Sequence, residues 1–297
     1  MMDILRTPED CFINLPDYPF EAHYEDIEGL RIHYLDEGPR DGDVVLMLHG
    51  EPSWSFLYRH MIPLFVAAGY RAIAPDLVGF GKSDKPAEMA DYSYQAHVDW
   101  MRTWIEAVGL RDINLVAQDW GSLIGLRLVA EHPDWFARVV IANGGLPTGD
   151  QQMPEAFQRW QEFCRTVPKL PIGRVISGGT ATQLADDVID AYNAPFPDES
   201  YKAGARIFPA LVPTSADDPA APANRLAWRA LMRFEKPFLT AFSDGDPITA
   251  GGERPFQRLV KGAQGREHVT ISGAGHFLQE DKGPEFARVV IDFMEST

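Results

Sequence analysis

The chain has 297 residues, 45% of them hydrophobic and 24% charged. That is enough for one large α/β domain carrying an inserted module, with a core that needs no metal or disulfide staple. Asp and Glu outnumber Lys and Arg by 43 to 27, a net charge of −16, which argues against a nucleic acid, an anionic membrane surface or a polyanionic substrate as the partner.

In chain order, residues 1–10 lack the basic start and apolar run of a signal peptide. No later run approaches the roughly 20 apolar residues of a membrane helix. Cys11 and Cys164 are too few and too far apart for a zinc site or a disulfide framework, and free thiols fit a reducing compartment. A cytoplasmic protein is expected. His23–Ile27 and residues 30–34, around Glu28-Gly29, read as an antiparallel hairpin at a sheet edge. Apolar runs without alternation follow at Val44–Leu48, 71–74, 113–117, 139–142, 238–242 and Val269–Ile271. Such runs suit a parallel sheet covered on both faces. Helical patterns lie between them, at Tyr94–Val108 with Gly109 as its stop, at 122–131, near 255–260 and at 284–294. The alternation predicts a doubly wound, mostly parallel α/β sheet.

The rhythm breaks between Gly149 and Arg225, where aromatics and prolines replace strand-like runs. This stretch predicts a helical cap at 149–225, inserted between core segments 1–148 and 226–297.

The run at 113–117 leads into Ala117-Gln118-Asp119-Trp120-Gly121 and then a helix. A sharp strand-to-helix turn of this kind is the nucleophile elbow, usually G-x-S-x-G. Here the usual first glycine is Ala117 and the central residue is Asp119, whose carboxylate attacks an alkyl carbon where a serine attacks an acyl carbon. Elbow nucleophiles are followed in the chain by an acid and then a histidine. Ser243-Asp244-Gly245-Asp246-Pro247 and Gly273-Ala274-Gly275-His276 both follow strand ends, where open α/β sheets bind ligands. Asp119, Asp246 and His276 thus form a candidate triad. Asp244 competes with Asp246, but Asp244-Gly245 resembles the turn that presents its neighbour. His49-Gly50-Glu51-Pro52 ends the Val44–Leu48 run and is placed to supply an oxyanion-hole N–H from Glu51, the second coming from Trp120. Gly79-Phe80-Gly81-Lys82-Ser83-Asp84 lacks phosphate-loop spacing and reads as a loop beside the site.

Together with Gly79 to Pro86, Val116 to Gly121 and Gly273 to Glu280, the His49 to Ser55 segment resembles the haloalkane dehalogenases, a family of the α/β-hydrolase fold. The resemblance spans almost the whole chain and is weakest between Gly149 and Ala191. It implies an alkyl-enzyme ester on Asp119, hydrolysed by water that His276, held by Asp246, activates as a general base. Glu51 resembles the subgroup that takes its second halide ligand from a lid tryptophan. The halide would therefore lie between the indole N–H groups of Trp120 and Trp160. Phe157, Phe163, Phe196 and Phe208 are expected to line a small apolar pocket for short halogenated alkanes. No metal or organic cofactor is implied, and the expected partners are the halogenated substrate, halide and water, with the protein a monomer.

Epoxide hydrolases use the same triad but need lid tyrosines, for which Tyr192 and Tyr201 are available. A fluoroacetate-type dehalogenase needs a cation for the substrate carboxylate, and Arg159 or Arg165 could serve. A non-catalytic small-molecule receptor on the same scaffold is the third alternative, although its usual mark is a broken triad.

Overall fold

The computed structural model describes residues 2–297; Met1, the first residue of the N-terminal stretch, lies outside them. In chain order the elements are β1 (Ile4–Leu5), β2 (His23–Ile27), β3 (Leu30–Glu37), β4 (Val44–Leu48), α1 (Ile62–Ala67), β5 (Arg71–Pro75), β6 (Lys85–Pro86), α2 (Tyr94–Val108), β7 (Ile113–Asp119), α3 (Trp120–Glu131) and β8 (Phe136–Gly144). Five helices follow without a strand: α4 (Glu155–Thr166), α5 (Ile172–Gly178), α6 (Asp186–Asn193), α7 (Ala203–Leu211) and α8 (Ala221–Leu231). The chain then returns to β9 (Phe238–Ser243), α9 (Glu253–Leu259), β10 (Val269–Ile271) and α10 (Leu278–Glu295).

The main sheet runs β10-β9-β8-β7-β4-β5-β3-β2. Strands β10 to β5 in that order are parallel, and β3 and β2 add an antiparallel edge. Strand β4 shows why the apolar runs lack alternation. Val44, Leu46 and Leu48 enter one core with α2 and α3, while Val45 and Met47 enter a second core with α1 and α10. Each buried aliphatic side chain of this kind contributes about 1.5–3 kcal/mol. Helix α2 starts on Ser93, whose side chain accepts from the Ala96 N–H, and stops at Gly109 in the left-handed region.

The sequence reading differs from the structure mainly at helix starts. Helix α10 begins at Leu278, six residues before the expected 284, and is broken at Lys282, where φ is −142°. Pro284 lacks an N–H and crowds the preceding turn, so the periodic pattern shows only beyond it. The six-residue α1 and the two-residue β1 and β6 are too short to announce themselves by periodicity.

The inserted helices are tied to the core by polar contacts, at the centre of which is a buried ion pair. Arg59 Nη2 donates to Glu280 Oε2 at 2.9 Å, and Tyr192 on α6 donates to the other oxygen of Glu280. The Arg59 and Glu280 side chains are 2% and 3% exposed. Asp281 Oδ2 accepts from Ala181 N, between α5 and α6, and from Gly275 N beside His276. The Glu280→Ala substitution leaves a buried guanidinium unpaired, which costs about 3–5 kcal/mol. A urea midpoint that does not fall in this variant would show that the tie contributes nothing to stability.

Candidate active site

Strand β7 delivers Asp119 at its last position, and the turn into α3 is tight enough to force φ to +51° there. A non-glycine residue held in that region stores roughly 1–3 kcal/mol of strain. Two glycines make room for the turn. A Cβ on Gly121 would sit 2.0 Å from the Leu48 carbonyl oxygen, and one on Gly50 would sit 2.4 Å from Asp119 Oδ1. With neither present, Glu51 N donates to Asp119 Oδ1 at 2.8 Å. Trp120 opens α3, so its N–H is one of the unpaired donors at a helix start.

His276 is 6% exposed. Its Nδ1 donates to Asp246 Oδ2 at 2.9 Å, and its Nε2 lies 3.6 Å from Asp119 Oδ2. The loop after β9 fixes Asp246 by bonds from Ile248 N and the Thr249 hydroxyl. Asp244 instead accepts from Gly273 N at an exposed turn, so Asp246 is the carboxylate that reaches the imidazole. Burial by itself lowers the His276 pKa, but Asp246 and then Asp119 outweigh it and push it up to about 10. Burial also works against the charge of Asp246; His276, Thr249 and Ile248 overcome it and hold this carboxyl down at about 2.

Around the triad the backbone is pinned by residues to which sequence reasoning gave no part. Asn143 Nδ2 donates to the carbonyls of Gly275 and His276, and Ser243 Oγ donates to Gly275. Gln118 Nε2 lies 3.2 Å from the His276 carbonyl oxygen and 3.2 Å from His276 Nε2. A polar residue inside an otherwise apolar strand end was the available signal. His49 is buried and burial lowers its pKa; its Nε2 accepts from Leu77 N and its Nδ1 donates to Gly50 O, which sets the Glu51 loop. The Gly79–Asp84 loop wraps Asp76, which accepts from Lys82 N and bonds His33, so this loop is a support beside the site.

Asp119, Trp120, Glu51, His276 and Trp160 all line one cavity of about 510 Å³. Its walls come from core loops and from α4, α5, α7 and α8, through Phe157, Val175, Pro209 and Trp228 among others. Trp160 Nε1 donates to Glu51 Oε2 at 3.2 Å. Trp228 also reaches the cavity, but its Nε1 is taken by the Leu146 carbonyl at 2.8 Å. Burial, and then the charge of Asp119, raise the Glu51 pKa well above the usual carboxylate range, so its protonated form is favoured.

Of the four expected pocket phenylalanines only Phe157 lines the cavity. Phe163 is 38% exposed and stacks on Trp160 from outside. Phe208 packs behind Trp120, with ring centroids 4.5 Å apart, and Phe196 packs on Phe80. Phe208 on α7 and Phe196 in the loop after α6 are thus buried against core residues, away from the cavity. Tyr192 is committed to Glu280, and neither it nor Tyr201 lines the cavity. Arg159 and Arg165 are exposed and paired with Glu155 and Glu162. The cavity thus offers, among the described residues, no phenol for an epoxide and no Lys or Arg for a carboxylate. Among the described residues no His, Cys, Asp and Glu cluster could hold a metal ion, and no helix is long and apolar enough to cross a membrane.

A folded-state His276 pKa above its ordinary 6.5 means that its proton favours the folded state. That contribution is full below pH 6.5 and fades as the pH rises through about 10. The Asp246→Asn substitution removes the strongest upward push, and the imidazole pKa read by NMR is expected to drop by about 2 units. An unmoved pKa would show that Asp246 does not set it.

Three comparisons place this geometry. Residues 43–283 match the family model for the alpha/beta hydrolase fold. Haloalkane dehalogenases of Psychrobacter cryohalolentis and Mycolicibacterium paratuberculosis are 58% and 53% identical to the chain, each match covering 99% of it and 98% and 99% of those proteins. The tetrameric haloalkane dehalogenase of Paraglaciecola agarilytica superposes with a TM-score of 0.92 at 36% identity, over 98% of both chains.

Proposed function

The chain belongs to the haloalkane dehalogenases of the α/β-hydrolase fold, and from that membership we propose how its own residues cleave a carbon–halogen bond. Asp119 attacks the halogen-bearing carbon in line, forms an alkyl ester and expels halide. Trp120 and Trp160 donate their indole N–H groups to the departing anion, for which they are suited because an indole N–H has no acceptor side. Halide and Glu51 then compete for the Trp160 N–H, and a protonated Glu51 puts no negative charge beside the halide.

His276 next takes a proton from water, and the hydroxide attacks the ester carbonyl. The backbone N–H groups of Glu51 and Trp120 hold the oxyanion, each well-placed donor contributing about 3 kcal/mol. The products are an alcohol, halide and a proton. The Glu51 N–H on Asp119 Oδ1, with His276 beside the other oxygen, is the observation that carries this reading. Esterification also tunes the base. It removes the Asp119 charge, one of the two that hold His276 near 10, so the imidazole releases its proton more readily when it must act.

Residues 149–225 serve as the cap over this site, between core segments 1–148 and 226–297; the cavity-lining contacts of α4, α5 and α7 support that division. The cavity falls inside the ~300–1,000 Å³ range of pockets that enclose drug-sized ligands. Chains longer than the short alkanes expected from four facing phenylalanines therefore fit. Free thiols at Cys11 and Cys164 support a cytoplasmic setting. The monomer expected from the sequence is kept as part of this proposal.

Incubation with 1-bromobutane is expected to release bromide and protons in equal amounts, with no turnover of a simple epoxide. The His276→Gln variant should trap an alkyl adduct on Asp119 visible by mass spectrometry; an intact mass that never shifts would overturn the ester mechanism. Trp160→Phe removes one halide donor and is expected to lower kcat/KM for 1-bromobutane by about 10²-fold. Loss below threefold would remove Trp160 from the halide site. Along a series of 1-bromoalkanes, kcat/KM should keep rising past butane, and a maximum at two or three carbons would contradict the cavity argument.

A further inference from the structure

Gln118 has no task in the scheme above, yet it touches the base directly. It is fully buried on β7, one residue before Asp119. The contact of its Nε2 with the His276 carbonyl oxygen fixes which way the amide faces, because turning it over would set two carbonyl oxygens against each other. In this orientation Oε1 is buried with no hydrogen-bond partner among the described residues. An unpaired buried acceptor is unfavourable, so the contacts with His276 hold the amide in place against that penalty.

The second contact, Nε2 to His276 Nε2 at 3.2 Å, is informative about the ring. An amide N–H can bond that nitrogen only when the nitrogen carries a lone pair, since an imidazolium has N–H groups at both positions. Nδ1 then keeps its proton and donates it to Asp246. We propose that Gln118 is a positioning residue that biases His276 toward the neutral tautomer protonated on Nδ1, the form able to take a proton from water. The inference rests on His276 being the general base.

The groups facing the ring set the contest. Asp246, on the loop after β9, and Asp119, at the end of β7, favour the imidazolium. Glu51, on the loop after β4, favours its own protonated form and so adds little to their pull. In the free enzyme the two carboxylates prevail. In the alkyl-enzyme Asp119 is an uncharged ester, and the Gln118 N–H acts against Asp246 alone. At 3.2 Å the bond is long, so the attacking water displaces it without a large loss.

The test follows decay of the alkyl-enzyme formed from 1-bromobutane, by rapid quench and mass spectrometry, as a function of pH. Gln118→Met keeps the volume and removes the N–H; Gln118→Glu keeps the shape and replaces a donor by an acceptor. The acid limb of the decay is expected to move up by about one pH unit in Gln118→Met and further in Gln118→Glu. Neutral-pH hydrolysis then slows roughly tenfold or more, while the high-pH plateau and the rate of adduct formation are retained. Slower decay at every pH with an unmoved limb, or no change in either variant, would overturn the proposal and leave Gln118 as packing. An adduct absent even from the unsubstituted protein would overturn the nucleophile assignment and this inference with it, so the two failures are read separately.

Discussion

A backbone crossing with no room for a side chain is the constraint on which the site depends. Helix α3 starts so close to the end of β4 that a Cβ on Gly121 would overlap the Leu48 carbonyl. That closeness brings the Glu51 N–H onto Asp119 while the elbow holds Asp119 at φ +51°. A strained turn aims the Asp119 carboxylate out of the buried parallel sheet, and the large two-faced core supplies the stability that holds it there.

Charge economy follows from the same crowding. Asp119 and Glu51 line a largely apolar cavity with His276, and Asp246 stands behind that imidazole on the side away from Asp119. Three ionised carboxylates would repel one another strongly at low dielectric. Asp246 stays charged because His276 and two further donors hold it, whereas burial and the Asp119 charge outweigh Trp160 and His276 at Glu51 and favour its proton. Similar side chains are thereby sorted into a carboxylate that orients the imidazole and one pushed toward its protonated form, while Asp119 faces the cavity.

Much of this was legible in order along the chain. The elbow, the two post-strand turns and the His49-Gly50-Glu51-Pro52 loop each sit at a strand end, and strand ends are readable from apolar runs and glycines. The cap was legible only as a region. Phe157 and Trp160 are three residues apart on α4, one helical turn, so both can face the cavity. Phe163, three further on, drifts to the exposed side, and Phe196 and Phe208 fill the seam between cap and core. An aromatic side chain serves a pocket and a seam equally well, so composition could not separate the two uses.

By itself the sequence determined the α/β class and the order along the chain of Asp119, Asp246 and His276, each at a strand end, because these depend on local turns and strand periodicity. Tertiary structure decided between Asp244 and Asp246, since only the loop geometry sets which carboxylate reaches the imidazole. It also decided that Trp160 and not Trp228 has an N–H within the site, that Tyr192 belongs to Glu280, and that Gln118 touches His276. Each of these is a contact between segments tens of residues or more apart, and which atoms meet there is fixed by how helices pack on the sheet, not by local sequence pattern.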